Sequence, residues 1–210
     1  MNRKFPNIPT SKRVCIVCEG DEEYRYIEKL KDLKLFHHNY SVKSINANGL
    51  TKVFKTFDKI AKSDNYDIVL IFCDTDNAPF EEFTKLQKAL KDYYGKNRVE
   101  DLPSIIYFGN PCSMQIILSH FDKVKLKSRL KSDNAPLIEK LTGIKNYRAQ
   151  ENDISSLMNK INASNYNTMK NNIANLSTDY NITPSTNILT LFKYLECDKT
   201  KWIDDINKRL

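Results

Sequence analysis

Glu19, Asp74 and Asp76 each stand just past an apolar run, where a carboxylate is best explained by something it holds. Glu19 follows RVCIVC (residues 13–18) and leads into Gly20, while Asp74 and Asp76 follow IVLIFC (residues 68–73) as an Asp-x-Asp pair. In an extended segment residues two apart point to the same side, so both aspartates can reach one point in space. Ligands of an open α/β sheet bind beyond the carboxyl ends of its strands, which is where all three acids lie if the strands carrying them are neighbours. Two carboxylates ~4 Å apart at an effective dielectric of ~20 repel by ~4 kcal/mol, a strong incentive to hold a cation. Oxygen donors with several retained waters suit Mg²⁺, and Mn²⁺ can substitute. The competing reading is helix N-capping. It accounts for Asp76 or Asn77 but leaves Glu19-Gly20 unexplained.

Basic residues gather elsewhere. Residues 121–150 carry eight Lys and Arg against three acids, with Tyr147 among them. Lys123, Lys125, Lys127, Arg129 and Lys131 are therefore candidates for contact with a phosphate backbone. A solvated helical or hairpin surface is the alternative. The net charge of +7 suits a polyanionic partner and says nothing about fold. His120 lies in an apolar helical pattern and reads as a packed, hydrogen-bonded histidine before a catalyst. Asn110-Pro111 reads as a strand-to-helix turn. The five cysteines form an odd set and read as reduced, packed thiols. Cys15 and Cys18, three apart on a strand, point to opposite faces.

The elements that must position these residues alternate in period. RVCIVC, SVKSIN, YDIVLIFC and PSIIYF, beginning at residues 13, 41, 66 and 103, are short β-rich runs. Between them apolar residues recur three or four apart: Tyr26, Ile27 and Leu30; Val53, Phe57 and Ile60; Phe83, Leu86 and Leu90. This alternation predicts an α/β fold, a four-stranded, mainly parallel sheet flanked by helices, with the third strand central. Past Asn110 only helical spacing continues, the last helix beginning near Ser185 after Pro184. The expected organisation is an α/β core over residues 1–110 and a helical C-terminal part over 111–210 packed on it. No apolar run approaches the ~20 residues of a membrane span. The basic start has no apolar stretch behind it, so the expectation is a cytoplasmic protein that leaves the membrane alone.

An Asp-x-Asp after an apolar strand also occurs in nucleotide-sugar transferases and in aspartate-nucleophile phosphatases, but neither explains Glu19. An apolar first strand ending in Glu-Gly and an apolar third strand ending in Asp-x-Asp resemble the Toprim domain of topoisomerases, primases and OLD-type nucleases. More particularly, the chain resembles the RloB-like family of bacterial defence-associated Toprim proteins. CEGDEEYRYI is similar to that family's acidic first motif through Glu19, Gly20, Glu23 and Tyr26, with one loop residue fewer. FCDTDNAPF is similar to the second, and FGNPCSMQIILSHF to the third through Asn110, Pro111, Cys112, His120 and Phe121. ITPSTNILTLFKYL resembles the Pro-Ser-Thr start of its C-terminal helix. One departure stands out. Ser113-Met114 replaces the usual Phe-Glu, and Glu23 is the nearest candidate to take that glutamate's place.

The resemblance implies metal-dependent cleavage of a phosphodiester in DNA or RNA, in anti-phage or abortive-infection defence. Asp74 and Asp76 would bind Mg²⁺ or Mn²⁺, Glu19 would bind a second ion or act as general acid/base, and Gly20, Asn110 and His120 would support them. It also implies an ATPase partner; the chain has no Gly-x-x-x-x-Gly-Lys-Ser/Thr loop of its own, so any NTP hydrolysis would come from that partner. The alternative is a degenerate Toprim subunit that binds nucleic acid or regulates a partner without catalysis. Met114 favours that alternative; the acids at 19, 74 and 76 favour the nuclease.

Overall fold

The structure is a computed structural model and describes residues 11–76, 79–95 and 104–210. Strands β1 (Lys12–Cys18), β2 (Tyr40–Asn46), β3 (Ile68–Asp74) and β4 (Ile106–Asn110) run parallel, and β5 (Ser185–Thr186) is antiparallel to β4. The sheet order is β2-β1-β3-β4-β5. Parallel neighbours require crossovers, supplied by α1 (Asp21–Asp32), α2 (Leu50–Ala61) and α3 (Glu81–Tyr94). Each turns one stripe inward: Tyr26, Ile27 and Leu30 on α1, Leu50, Val53 and Phe57 on α2, Phe83, Leu86 and Leu90 on α3. The chain leaves β1 toward one edge of the sheet and returns to place β3 on the other side of β1. The crevice beyond the C-terminal ends of β1 and β3 is thus the topological switch point of the sheet.

The fold is α/β with a central third strand, as expected, but the sheet has five strands among the described residues, not four. The last helix does not begin near Ser185: Ser185 and Thr186 pair with Asn110 and Gly109 before α8 (Ile188–Glu196) begins. Two residues make a poor strand, and side chains complete it. The Thr186 hydroxyl donates to the Phe108 carbonyl at 2.6 Å. Asn187 then acts as a further rung, its Oδ1 accepting from Phe108 N–H at 2.9 Å and its Nδ2 donating to the Ile106 carbonyl at 2.7 Å.

The rest of the second half is helical: α4 (Met114–Leu118), α5 (Lys131–Thr142), α6 (Glu151–Asn159), α7 (Ala163–Ile173) and α9 (Lys201–Arg209). One apolar core takes in Ile16, Leu70 and Phe72 of the sheet together with Leu157, Met169, Leu191 and Trp202, so the core extends past residue 110 without a break. Cys15, Cys18, Cys73 and Cys112 are buried as free thiols. Among the described residues no helix is long and apolar enough to cross a membrane.

Candidate functional site

Glu19 continues β1 by one residue. Its N–H donates to the Phe72 carbonyl of β3 at 3.0 Å, and its carbonyl accepts from Gly49 N–H at 2.8 Å in the turn before α2. Gly49 sits at φ 118, a conformation that favours glycine, so this turn depends on the residue type. The Glu19 carboxylate crosses to the neighbouring strand, where Oε2 accepts the backbone N–H of Asp74 at 2.8 Å. Asp74 in turn accepts Ser113 N–H at Oδ1 at 2.6 Å. Two acids drawn from points 55 residues apart in the chain are thereby interlocked at the switch point.

Glu23, in the first turn of α1, is buried and reaches back so that Oε2 accepts Gly20 N–H at 2.9 Å, a glutamate closing on the helix N-cap. The Ser113 hydroxyl is close enough to favour the Glu23 anion, yet it is buried without a hydrogen-bond partner of proper geometry among the described residues. Burial pushes the Glu19 carboxyl up to about 8, reinforced by Glu23 and Asp76 and opposed by the Asp74 N–H and by Lys131. Asp74 is raised well above its ordinary value by burial and then by Glu23 and Glu19, and Glu23 is raised by burial and Glu22. These acids open onto a cleft of about 410 Å³ whose far wall includes Leu130, Ala149 and Ile154.

The third acid behaves differently. The alternation that would aim Asp76 beside Asp74 holds only in extended chain, and β3 ends at Asp74. Asp76 sits at φ 61 on the cleft rim, where Oδ2 meets Nη1 of Arg129 at 2.5 Å. Asn77, the alternative cap, lies outside the described residues. Among the described residues no group of three His, Cys, Asp or Glu side chains is arranged to hold a metal ion as it stands. The pair Glu19 and Asp74 nevertheless fits Mg²⁺ or Mn²⁺. Both are hard oxygen donors, each keeps one carboxylate oxygen without a protein partner among the described residues, and their mutual repulsion favours a cation. Mg²⁺ commonly takes only one or two carboxylates and retains its waters.

The basic segment divides into two groups. Lys123, Lys125 and Lys127 are exposed on an irregular extended stretch, alternating with buried Val124 and Leu126. The alternation is maintained by Gln115, a buried residue of α4 whose Nε2 donates to Val124 O at 3.0 Å and whose Oε1 accepts Leu126 N–H at 2.9 Å. Arg129 and Lys131 instead face the acid cleft: Arg129 meets Asp76, and Lys131 forms an ion pair with Glu22. Tyr147 is buried with its hydroxyl on Glu22 at 2.6 Å, so it offers no stacking face to a base.

His120 is the packed histidine expected: Tyr26 lies 2.9 Å from Nε2 and Asn165 Oδ1 3.1 Å from Nδ1, and burial lowers its pKa to about 4. Asn110 is likewise buried, its Nδ2 donating to the Tyr180 and Ile182 carbonyls at 2.7 and 3.1 Å. Both support structure away from the cleft lining. Met114 is also fully buried and outside that lining.

Three residues of the site went unsuspected. Glu22 carries the Lys131 and Tyr147 contacts; Ser113 supplies the N–H to Asp74; and Gly109 permits the turn that brings Ser113 there. A Cβ on Gly109 would stand 2.8 Å from backbone atoms of Cys112 and Ser113. Gly109→Ala is accordingly expected to displace this turn, weaken the Ser113–Asp74 bond and destabilise the chain by about 1–3 kcal/mol, measured by urea denaturation. No protein-family model, curated protein or solved structure matches the chain. What bears on function is therefore the carboxylate pair and its surroundings.

Proposed function

We propose that this chain is a metal-dependent nuclease of the Toprim type, cleaving phosphodiesters with Glu19 and Asp74 as the essential carboxylates. The observation that carries the reading is their meeting at the C-terminal ends of adjacent parallel strands, joined by the Asp74 N–H. These two residues would hold Mg²⁺ or Mn²⁺. A bound divalent ion supplies polarisation of a phosphoryl oxygen and a more acidic water. The chain does the rest. Asp74 is oriented by Ser113, and Glu23 is held beside both acids by Gly20. Arg129, half-exposed on the rim, offers a guanidinium that can exchange Asp76 for a phosphate oxygen. Lys131 offsets the buried charge of Glu22.

A second reading, a degenerate Toprim subunit that binds nucleic acid without cutting it, is favoured by the Asp76–Arg129 ion pair and by Met114. Incubating the purified chain with plasmid, single-stranded DNA and tRNA separates the two. The nuclease reading expects cleavage with Mg²⁺ or Mn²⁺ and none in EDTA; retarded but intact nucleic acid in all conditions supports the second. The resemblance further supports a cytoplasmic role in anti-phage defence beside an ATPase partner. A plaque assay with and without an intact Asp74 checks it.

A further inference from the structure

The extended stretch from Lys123 to Arg129 joins two features that the carboxylate site does not explain. At one end Lys123 and Lys125 line a cavity of about 360 Å³ together with Asn172, Asn175, Ile182 and Pro184. At the other end Arg129 and Leu130 line the acid cleft. Between them Lys123, Lys125 and Lys127 project outward on alternate residues. Alternate residues of extended chain stand about 6.6 Å apart, comparable to successive phosphates of a stretched single strand, and the whole track is about 20 Å long. Among the described residues only Tyr93, Leu130 and Ile182 are large exposed apolar side chains, and two of these three mark the two ends of the track. Asn172, which lines the cavity, donates from Nδ2 to the Ser119 carbonyl at 2.8 Å, and its Oδ1 has no hydrogen-bond partner among the described residues.

We infer that residues 123–129 form a track for a single-stranded nucleic acid, running from a base-binding pocket at Asn172, Asn175 and Ile182 to the carboxylate cleft. The inference rests on the nuclease reading and adds to it the class of substrate. A single row of cations matches one backbone, whereas a duplex presents two across a major groove about 12 Å wide. The pocket combines amides for a base edge with apolar carbon for its face, and only an unpaired base can enter it. In a duplex the bases stay stacked and the pocket would remain empty.

Binding is measured on the full chain in EDTA, by anisotropy of labelled oligothymidylate, oligouridylate and an oligothymidylate–oligoadenylate duplex. Single strands are expected to bind at least tenfold tighter than the duplex, and comparing oligodeoxyuridylate with oligouridylate, which differ only in the 2′-hydroxyl, identifies the preferred sugar. The double variant Lys123→Ala/Lys125→Ala is expected to weaken single-strand binding at least tenfold and to lower the salt slope by about 1.4, at about 0.7 per phosphate contact. Ile182→Ser is expected to weaken binding with the slope unchanged. All three positions are exposed, and melting curves verify that the variants fold; Lys127→Ala serves in place of the double variant if it does not. Duplex binding as tight as single-strand binding overturns the track, as does an unchanged slope in the lysine variant. An unaffected Ile182→Ser overturns the pocket. EDTA removes cleavage from the measurement, so failure of the nuclease reading appears only in the cleavage assay and failure of the track only here.

Discussion

Asp74→Asn is expected to abolish both the response to Mg²⁺ and any cleavage while leaving the metal-free protein at least as stable as wild type. Asparagine keeps the Oδ1 acceptor that Ser113 N–H requires and removes the charge that Glu19 and Glu23 oppose. Glu19→Gln should behave alike, since glutamine still accepts the Asp74 N–H. In wild type, Mg²⁺ at about a hundred times its dissociation constant stabilises the fold by about 2.7 kcal/mol, a rise in melting temperature of about 5–10 °C for a chain of this size. Both variants should show none of it, and cleavage should fall at least a hundredfold, the upper range for removing a mere outer-shell partner. Asp74→Ala is the contrasting case. It leaves the Ser113 N–H without its acceptor and should cost about 1–2 kcal/mol of metal-free stability. Melting curves of the three variants with and without Mg²⁺ decide the matter. Destabilised Asn and Gln variants with an intact metal response would make these acids structural, and the nuclease reading would fail.

The same charges predict an unusual pH dependence. The Glu19 carboxyl titrates at about 8 in the folded protein against an ordinary value of 4.5, and Asp74 and Glu23 shift the same way. Between those values the folded state keeps protons that the unfolded state has lost, so metal-free stability should fall as pH rises from 4.5 to about 8. His120 acts in the opposite sense. With its pKa lowered from 6.5 to about 4, it makes stability rise with pH across that interval. The carboxylate effect is therefore cleanest between 6.5 and about 8. Its size, shared over the cluster, is on the order of a few kcal/mol. Glu19→Gln should flatten the slope, and saturating Mg²⁺ should abolish it, because the ion binds the deprotonated acids and leaves the folded state with no more protons on them than the unfolded chain. Urea denaturation across this range, with EDTA and with Mg²⁺, measures both.

The central features of the site were legible because they are local. An apolar run that stops on an acid marks a strand end, and alternation with helical stripes implies parallel neighbours, which is how Glu19 and Asp74 could be paired. Asp76 lines the same cleft as Glu19 and Asp74, but the two-residue rule does not aim it beside Asp74, because β3 ends at Asp74 and Asp76 sits at φ 61. β5 was invisible because two residues have no period; its reality depends on the side chains of Thr186 and Asn187. Glu22 looked like one more solvated acid at a helix start, since its partners Lys131 and Tyr147 lie 109 and 125 residues away. The period-two pattern in KVKLK is present in the sequence, but five residues fit a solvated surface as well, and the Gln115 contacts are what hold the stretch extended.

The fifth strand has a consequence for how the protein is made. Its pairing with β4 is formed by residues 185 and 186, with Asn187 adding the last rung, and β4 itself ends at Asn110. A ribosome has thus to add some seventy-five residues after β4 before that strand's outer N–H and C=O groups find their partners. Throughout that interval the growing chain carries an open strand edge, the kind of surface that recruits other unfinished chains. Slow elongation between residues 111 and 185 should therefore lower the yield of soluble protein.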